Sequence, residues 1–323
     1  MRALFFVALM ALSTSAHATT LRFASLAPSH SAWGKLLDQM ARVIERKTEG
    51  RVVLKMYLDG KLGDEATVIK KLGRGLDGAF LTGQGLGLVH PPVRVLELPF
   101  LIGSLEDADR ARAAIWDELV EGVASQTPYV LLGPGETGMV RLFSKSRIDG
   151  LPALREARVW VWEGDLIAAR TLQIFEISPR PLDILSVVQQ LKTGGVDTVY
   201  NSAAGAVALG WTGDLKTVTE RPLAYASGGS LMTSRSFLRL SLEDQAVLRE
   251  VAEAFGQQII ERIRSDNAET LARLTGPGGG LEGVSIPKAR YDELAAVART
   301  HWSELARQLK AEALLAKVQG ALE

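Results

Sequence analysis

The sequence has no cysteine among its 323 residues, and only 6% of them are aromatic. The absence of cysteine excludes a disulfide framework, a thiolate nucleophile and cysteine-ligated zinc. It also excludes a cysteine-linked lipid anchor, so any export must yield a soluble product. Net charge is absent as well, because 37 Lys and Arg balance 37 Asp and Glu. A neutral chain has no general attraction to nucleic acid or to anionic membranes, so neither is an expected partner.

The chain is long and rich in apolar residues, with 47% hydrophobic and 23% charged residues. This composition excludes a disordered or fibrous protein. The length exceeds that of one ordinary compact core and fits two packed units.

The N-terminal segment has the three parts of a secretory signal peptide. Arg2 gives a positive end, residues 3–12 form an apolar run, and residues 16–18 (Ala-His-Ala) match a small-x-small cleavage site. The run is too short for a membrane-spanning helix, which needs about 20 residues. We therefore predict a signal peptide over residues 1–18. The mature chain, starting near Thr19, is predicted to be soluble in the bacterial periplasm or outside the cell, without direct membrane insertion.

Strand and helix periodicities alternate along the first part of the mature chain. The predicted strands are 20–24, 52–58, 77–81 and 129–132, and the predicted helices are 31–47, 63–74 and 105–125. This alternation is typical of an α/β sheet covered on both sides. The order starts again near residue 140, with predicted strands 158–162 and 196–200 and predicted helices 166–175 and 182–191. Two similar lobes are expected from this restart.

Residues 241–274 show one continuous helical pattern. At about 1.5 Å per residue this helix is roughly 50 Å long, more than the width of one small domain. It therefore has to cross both lobes, and Gly256 is where we expect a bend. A glycine-rich loop at 276–280 ends it, and residues 287–322 are again helical and amphipathic.

Patterns of catalytic residues are missing from the sequence. The histidines of the mature chain, His30, His90 and His301, are far apart and lack metal-ligand spacing. There is no Gly-x-Ser-x-Gly, His-Glu-x-x-His or phosphate-loop motif. The glycine-rich segment 83–87 lacks dinucleotide-binding spacing, so we interpret it as a turn where the backbone approaches a neighbour. We expect no enzyme, no metal and no cofactor.

Five short motifs follow one another along nearly the whole mature chain. They are LDGKLGDE at 58–65 followed by IKKLGRGLDG at 69–78, LPFL at 98–101, Gly138 with Arg141, LKTGGVD at 191–197 with Asn201, and LEDQ at 242–245. None is specific alone. In this order they resemble the DctP-type solute-binding proteins of tripartite ATP-independent periplasmic (TRAP) transporters.

The resemblance implies an α/β, two-lobed periplasmic-binding-protein-like fold with a long helix spanning both lobes. Lobe I is expected to contain residues 19–139 and about 224–258, and lobe II residues 140–223 and about 259–323. The resemblance also implies a receptor without catalysis. Such a receptor captures a small organic acid in the interlobe cleft and delivers it to the TRAP membrane subunits.

Family members usually hold the ligand carboxylate through an arginine on the strand after the hinge, because a planar guanidinium matches two oxygens at once. In this sequence that arginine aligns with Trp160, or with Arg158 if two residues are missing before it. Arg158, Trp160 and Trp162 alternate along one predicted strand and so point to the same face. That face either lines the cleft or fills the core of the lobe.

The resemblance assigns further ligand-binding candidates. Arg141 matches a second carboxylate-binding arginine, Asn201 matches a ligand-side asparagine, and Glu65 falls where members place an acidic or polar residue facing the cleft. The ordinary alternatives are a surface arginine, a cap at a strand end, and a helix N-terminal charge favoured by the helix dipole. Tyr200 stands where the family usually has glutamate, so its part in the site stays open.

An indole cannot replace a charge-assisted pair worth on the order of 1.5–3 kcal/mol. We therefore predict a carboxylate-bearing but relatively apolar or aromatic ligand, held by Arg141 and stacked on Trp160 or Trp162, rather than a compact dicarboxylate. Two other function classes stay open. One is a receptor that presents its ligand to a sensor, and the other is an exported enzyme with an acid/base pair in the cleft.

Overall fold

The computed structural model describes residues 18–323, so residues 1–17 of the predicted signal peptide lie outside the described part of the chain. Its strands are β1 (Thr19–Ser25), β2 (Val52–Tyr57), β3 (Gly78–Thr82), β4 (Tyr129–Ser144), β5 (Trp160–Trp162), β6 (Arg180–Leu182), β7 (Thr198–Asn201), β8 (Thr217–Thr219), β9 (Ala224–Thr233) and β10 (Glu282–Val284). Its α-helices are α1 (Ala32–Lys47), α2 (Glu65–Lys71), α3 (Gly83–Val89), α4 (Leu105–Gln126), α5 (Leu151–Arg155), α6 (Leu166–Ile174), α7 (Val187–Thr193), α8 (Ala203–Ala208), α9 (Ser234–Leu238), α10 (Leu242–Thr275), α11 (Lys288–Thr300), α12 (Trp302–Gln308) and α13 (Glu312–Leu322). Short 3-10 helices cover Pro91–Glu97, Ile184–Ser186 and Thr212–Asp214.

One large sheet runs through both lobes in the strand order β10-β8-β4-β9-β3-β1-β2, and β7 also pairs with β4. Strand β1 pairs in parallel with β2 and β3, as expected for strands connected through helices. Strand β9 runs antiparallel between β3 and β4. Strands β5 and β6 form a separate parallel pair in lobe II.

Strand β4 is much longer than the sequence predicts. The prediction ended at residue 132, whereas the strand continues to Ser144, pairing first with β9 and then with β7 and β8. Its ladder with β9 shifts register at 131–133 and at 136–138. The glycines and proline of this stretch resemble a turn in sequence, but here they pair with β9 in a continuous strand, and the register shifts leave Leu132 and Thr137 unpaired. Strand β4 therefore carries the chain from lobe I into lobe II.

Each lobe has two clusters of buried apolar side chains. Under α1 and α10, lobe I packs a cluster that includes Phe23, Leu37, Ile44 and Ile259. Its other cluster lies under α2 to α4 and includes Val68, Leu81, Leu96 and Ile115. In lobe II, one cluster includes Trp160, Val199 and Trp211, and another includes Leu142, Val161 and Phe175.

The C-terminal helices are divided between the lobes. Leu294 and Ala298 of α11 pack in a lobe II cluster. Trp302 and Val318, from α12 and α13, pack instead in the lobe I cluster under α4. This packing differs from the expected division, which placed all of 259–323 in lobe II. Amphipathic periodicity identifies these helices in the sequence but does not specify which lobe covers their apolar faces.

The long helix predicted over 241–274 is present as α10, and it contributes Ile259 to a lobe I cluster and Leu274 to a lobe II cluster. The helix is continuous through Gly256, where a Cβ would overlap the carbonyl oxygen of Pro134, so glycine lets α10 lie close against β4.

Among residues 18–323, no helix combines the length and apolar character needed to cross a bilayer.

Candidate functional site

A cavity of about 720 Å³ lies between the two lobes. Lobe I contributes the segment from β1 to α1, the start of α3 and the 3-10 helix Pro91–Glu97. Lobe II contributes β5, α6 and the segment from β7 to α8, and α10 adds residues of its middle part. The cavity therefore occupies the place expected for the ligand cleft of a two-lobed receptor.

Five of the seven candidate residues line this cavity. They are Glu65, Trp160, Trp162, Tyr200 and Asn201. Arg158 and Arg141 are not among the residues of the wall. The structure therefore brings the aromatic, amide and acidic candidates together and leaves out both predicted cations.

Arg158 precedes β5 and lies at the surface, with half of its side chain exposed and its guanidinium 3.0 Å from the Asp197 carboxylate. Arg141 is on β4, directly opposite Asn201 in the ladder with β7. Its chain neighbours Val140 and Leu142 and its cross-strand partner Asn201 are all in the cavity wall, but Arg141 itself is not. Burial lowers the pKa of Arg141.

Trp160 is the centre of an aromatic group within lobe II. Its ring is stacked on Tyr200, with centroids 4.9 Å apart, and meets Trp211 edge-on at 5.1 Å. Its Nε1–H donates to the carbonyl oxygen of Leu182 at 3.1 Å, and only 1% of the residue is exposed. Trp160 thus combines the two interpretations left open by the sequence, because it fills the lobe core and also backs the cavity wall.

The wall also contains a group of buried charges, of which the sequence analysis named only Glu65. We call it the charge cluster, consisting of Arg94, Glu97, Asp165 and Glu65. Arg94 donates from Nε to Glu97 at 2.5 Å, from an Nη to Asp165 at 3.0 Å, and also to the side-chain oxygen of Gln84. Burial alone would lower the pKa of Arg94, but the carboxylates of Asp165 and Glu97 more than offset this and raise it.

The Arg94–Asp165 pair connects the lobes directly, because Asp165 precedes α6 in lobe II. Asp165 also caps α6 by accepting from the Ala168 backbone N–H at 3.1 Å, and it accepts from the Tyr200 hydroxyl at 3.0 Å. Burial first, and then the Asp165 charge, raise the pKa of Tyr200. Tyr200 therefore acts as a neutral donor to the charge cluster.

On the lobe I side, Glu97 accepts from the backbone N–H and the hydroxyl of Ser227 at 2.9 and 2.8 Å. Glu65 opens α2 and accepts from the backbone N–H and hydroxyl of Thr82, both at 2.7 Å. Burial raises the pKa of Glu65 to about 7, although the bonds from Thr82 act in the opposite direction. Glu65 is thus both the helix N-terminal acid and a residue of the cavity wall.

The glycine-rich segment 83–87 provides the space for these buried charges. The predicted turn is wrong, because the segment is the first part of α3. The predicted close approach is present: a Cβ at Gly83 would overlap Glu97, and one at Gly85 would overlap Glu65. This segment is the sequence signal that could have indicated the charge cluster, since repeated glycines in a helix imply large neighbours that need room.

In the part of the chain that the structure describes, no group of three or more His, Cys, Asp or Glu side chains is placed to hold a metal ion. Two polar atoms of the cavity wall, Thr137 Oγ1 and Trp33 Nε1, are buried without a hydrogen-bond partner among residues 18–323. The wall therefore offers a few polar contacts in surroundings that are mostly hydrocarbon and aromatic.

Residues 23–309 match the family model of DctP, described as bacterial extracellular solute-binding protein, family 7. A solute-binding protein from Chromohalobacter salexigens is 26% identical over 248 residues, which are 76% of this chain and 73% of that protein.

Solved structures resemble this one over almost their full length. A TRAP periplasmic solute-binding protein from Sulfitobacter sp., with bound α-D-taluronate, has a TM-score of 0.83 at 21% identity, covering 93% of this chain and 97% of that one. DctP7 from Bordetella pertussis, an extracytoplasmic solute receptor binding pyroglutamic acid, has a TM-score of 0.83 at 19% identity, covering 94% and 99%. At these identities the likeness concerns the fold, and the two-lobed α/β prediction is confirmed.

Proposed function

The chain belongs to the DctP family, the bacterial extracellular solute-binding proteins of family 7, and from this membership we propose that it delivers a small organic ligand from the interlobe cavity to the membrane subunits of a TRAP transporter. The family consists of substrate-binding receptors, so the prediction of a receptor instead of an enzyme is confirmed by the family. With the predicted signal peptide, the proposed compartment is the periplasm.

The proposed ligand is a relatively apolar or aromatic monocarboxylate. A carboxylate is supported by the α-D-taluronate and pyroglutamic acid named for two structures of similar fold. The observation that carries the apolar preference is the cavity wall, where one buried guanidinium is already paired with two protein carboxylates. A compact dicarboxylate would bring two more negative charges into this wall, and an uncompensated buried charge costs about 3–5 kcal/mol.

A single carboxylate can be received by donors that the protein leaves unused. Arg94 uses three of the five N–H groups of a guanidinium in its bonds to Glu97, Gln84 and Asp165. Asn201 accepts from the Ser202 backbone N–H through Oδ1, so its Nδ2 hydrogens remain for a ligand. The ligand body then lies against Trp162 and the other aromatic side chains of the wall.

Titration calorimetry with phenylacetate, benzoate, succinate and malate tests this ligand class. We expect the aryl monocarboxylates to bind at least tenfold more tightly than the dicarboxylates. The variant Trp160→Phe should weaken aryl binding severalfold, because it reduces the aromatic wall, whereas Trp116→Phe on α4, outside the wall, should not. Succinate or malate binding more tightly than both aryl acids would refute the ligand class.

Delivery to a transporter is tested separately by uptake in cells that carry the TRAP membrane subunits, with and without this chain. Uptake of the bound acid should require both. A ligand that binds the protein but enters cells equally well without it would favour the sensor-linked receptor.

A further inference from the structure

Part of the interlobe cavity lies within the hydrophobic core of lobe II. We call this part the apolar annex, and it is lined by Phe100, Leu142, Ile148, Leu154, Leu172 and Phe175. All of them except Phe100 are buried members of one lobe II cluster. The annex therefore has walls of hydrocarbon and aromatic rings. It contrasts with the part of the cavity around the charge cluster and Asn201, which we call the polar wall.

Phe100 extends from lobe I into the annex. It belongs to the LPFL motif, yet its ring packs against the lobe II cluster and meets Tyr291 edge-on, with centroids 5.3 Å apart. Its backbone N–H donates to the Leu223 carbonyl oxygen at 2.9 Å, and its φ is +59°. A bulky residue with positive φ is strained, and such strain is concentrated at functional sites. The backbone is thus held in an unfavourable conformation that places this ring at the annex.

The apolar lining of the annex favours binding of an apolar group. Protein interiors are close-packed, with few voids larger than one water molecule. A void lined by leucine, isoleucine and phenylalanine offers water no hydrogen bonds and accepts apolar molecules instead. A carboxylate would lose its hydration in the annex without gaining a partner, so the charged end of a ligand belongs at the polar wall.

We propose that the apolar annex binds the tail of the ligand, which is therefore an amphipathic monocarboxylate with an unbranched or aryl-terminated hydrocarbon tail. The carboxylate lies at the polar wall near Arg94 and Asn201, and the tail reaches Phe100 and Leu172. This inference rests on the proposed function and specifies the ligand class of the same site.

The dependence of affinity on tail length tests the proposal. Calorimetry of the whole mature protein is carried out with butanoate, hexanoate, octanoate and 5-phenylpentanoate. Each methylene group that enters the annex should tighten binding about threefold to fourfold. Leu172→Phe and Leu154→Phe place extra atoms in the annex, so with either variant octanoate should no longer bind more tightly than butanoate.

Leu191→Phe is the matched control, because Leu191 is also a buried leucine of lobe II but lies outside the cavity wall. It should retain the dependence on tail length. Thermal unfolding adds a second readout: the control has a lower Tm because its site is already full, whereas the annex variants keep theirs because the added ring enters empty space.

The outcomes separate the two proposals. Succinate or pyroglutamate binding as tightly as octanoate, with affinity independent of tail length, overturns the annex and leaves the receptor function standing. A fall in Tm of the annex variants as large as that of the control also overturns it, because the space would then be filled. Failure of every organic acid to bind overturns the proposed ligand class itself.

Discussion

At the scale of single residues, the charged residues of the cavity wall differ from those that the resemblance to the family predicts. The resemblance to the family predicts a guanidinium at Trp160 or Arg158 and a carboxylate at Tyr200, whereas the cavity wall has an indole at Trp160 and a phenol at Tyr200. The second expected cation, Arg141, is not in the cavity wall. One extra residue separates it from Gly138 compared with the family motif. Arg94 supplies the buried cation instead, from a segment for which the sequence predicted no role.

Glu65 makes the stability of the protein depend on pH. Burial raises its pKa from 4.5 to about 7, so between these values the folded protein holds a proton that the unfolded chain has released. The stabilising effect of this proton is complete below pH 4.5 and is lost as the pH rises to about 7. The loss is at most roughly 3 kcal/mol.

Urea unfolding of Glu65→Gln between pH 5 and pH 8 tests this dependence. The free energy of unfolding should vary less with pH in the variant than in the wild type, because glutamine does not titrate. Glu261→Gln, at an exposed position of α10, is the control and should keep the wild-type slope. Equal slopes for wild type and Glu65→Gln would contradict the assignment of this titration to Glu65.

At the scale of elements, helix α3 shows how tertiary contacts override local preference. Glycine is unfavourable inside a helix, by about 1 kcal/mol relative to alanine. Gly83 and Gly85 are nevertheless helical, because any side chain there would occupy the space of Glu97 or Glu65. The helix therefore gives up local stability to admit two buried carboxylates.

Gly85→Ala should for this reason destabilise the protein, by about 1–3 kcal/mol from overpacking against Glu65. Gly320→Ala in α13 is the matched control, since nothing lies within 4 Å of the added Cβ. This substitution should be neutral or stabilising by up to about 1 kcal/mol. Denaturant unfolding measures both, and an equally mild effect at the two positions would show that α3 does not need the space.

At the scale of the whole molecule, the two lobes are joined both through the backbone and across the cleft. Strands β4 and β9 and helix α10 connect them covalently. Arg264 on α10 also donates to the fully buried Glu136 of β4 at 2.8–3.2 Å, which holds the helix on the sheet. Across the cleft, the Arg94–Asp165 pair requires the lobes to be close together, so we expect it to break when the lobes separate.

Asp165→Asn should therefore shift the ligand-free protein toward an open arrangement. The change keeps the α6 cap, because asparagine caps helices as well as aspartate does, but it replaces an ion pair with a hydrogen bond from the guanidinium to an uncharged amide oxygen. A weakening of about 1–2 kcal/mol changes the ratio of open to closed molecules by roughly tenfold. Small-angle X-ray scattering should show a larger radius of gyration.

Asp197→Asn provides the comparison, because Asp197 pairs with Arg158 within lobe II. Its radius of gyration should equal that of the wild type. If both variants scatter like the wild type, the Arg94–Asp165 pair does not control closure.

The sequence by itself determined the class of protein, the two-lobed α/β architecture and the long helix α10. These follow from periodicity and from short motifs, which depend on residues close together in the chain. Caps are local as well, so Asp165 could be expected to begin α6 from its position alone.

Only the tertiary structure decided which charges face the cavity. Arg94 and Asp165 are 71 residues apart, and no local pattern indicates that they meet across the cleft. Three further features could not be predicted from local patterns either. They are the path of β4 through its bulges, the division of α11 to α13 between the lobes, and the apolar annex. Each depends on which distant surfaces pack together, because a strand or helix pattern specifies that a face is buried but not what covers it.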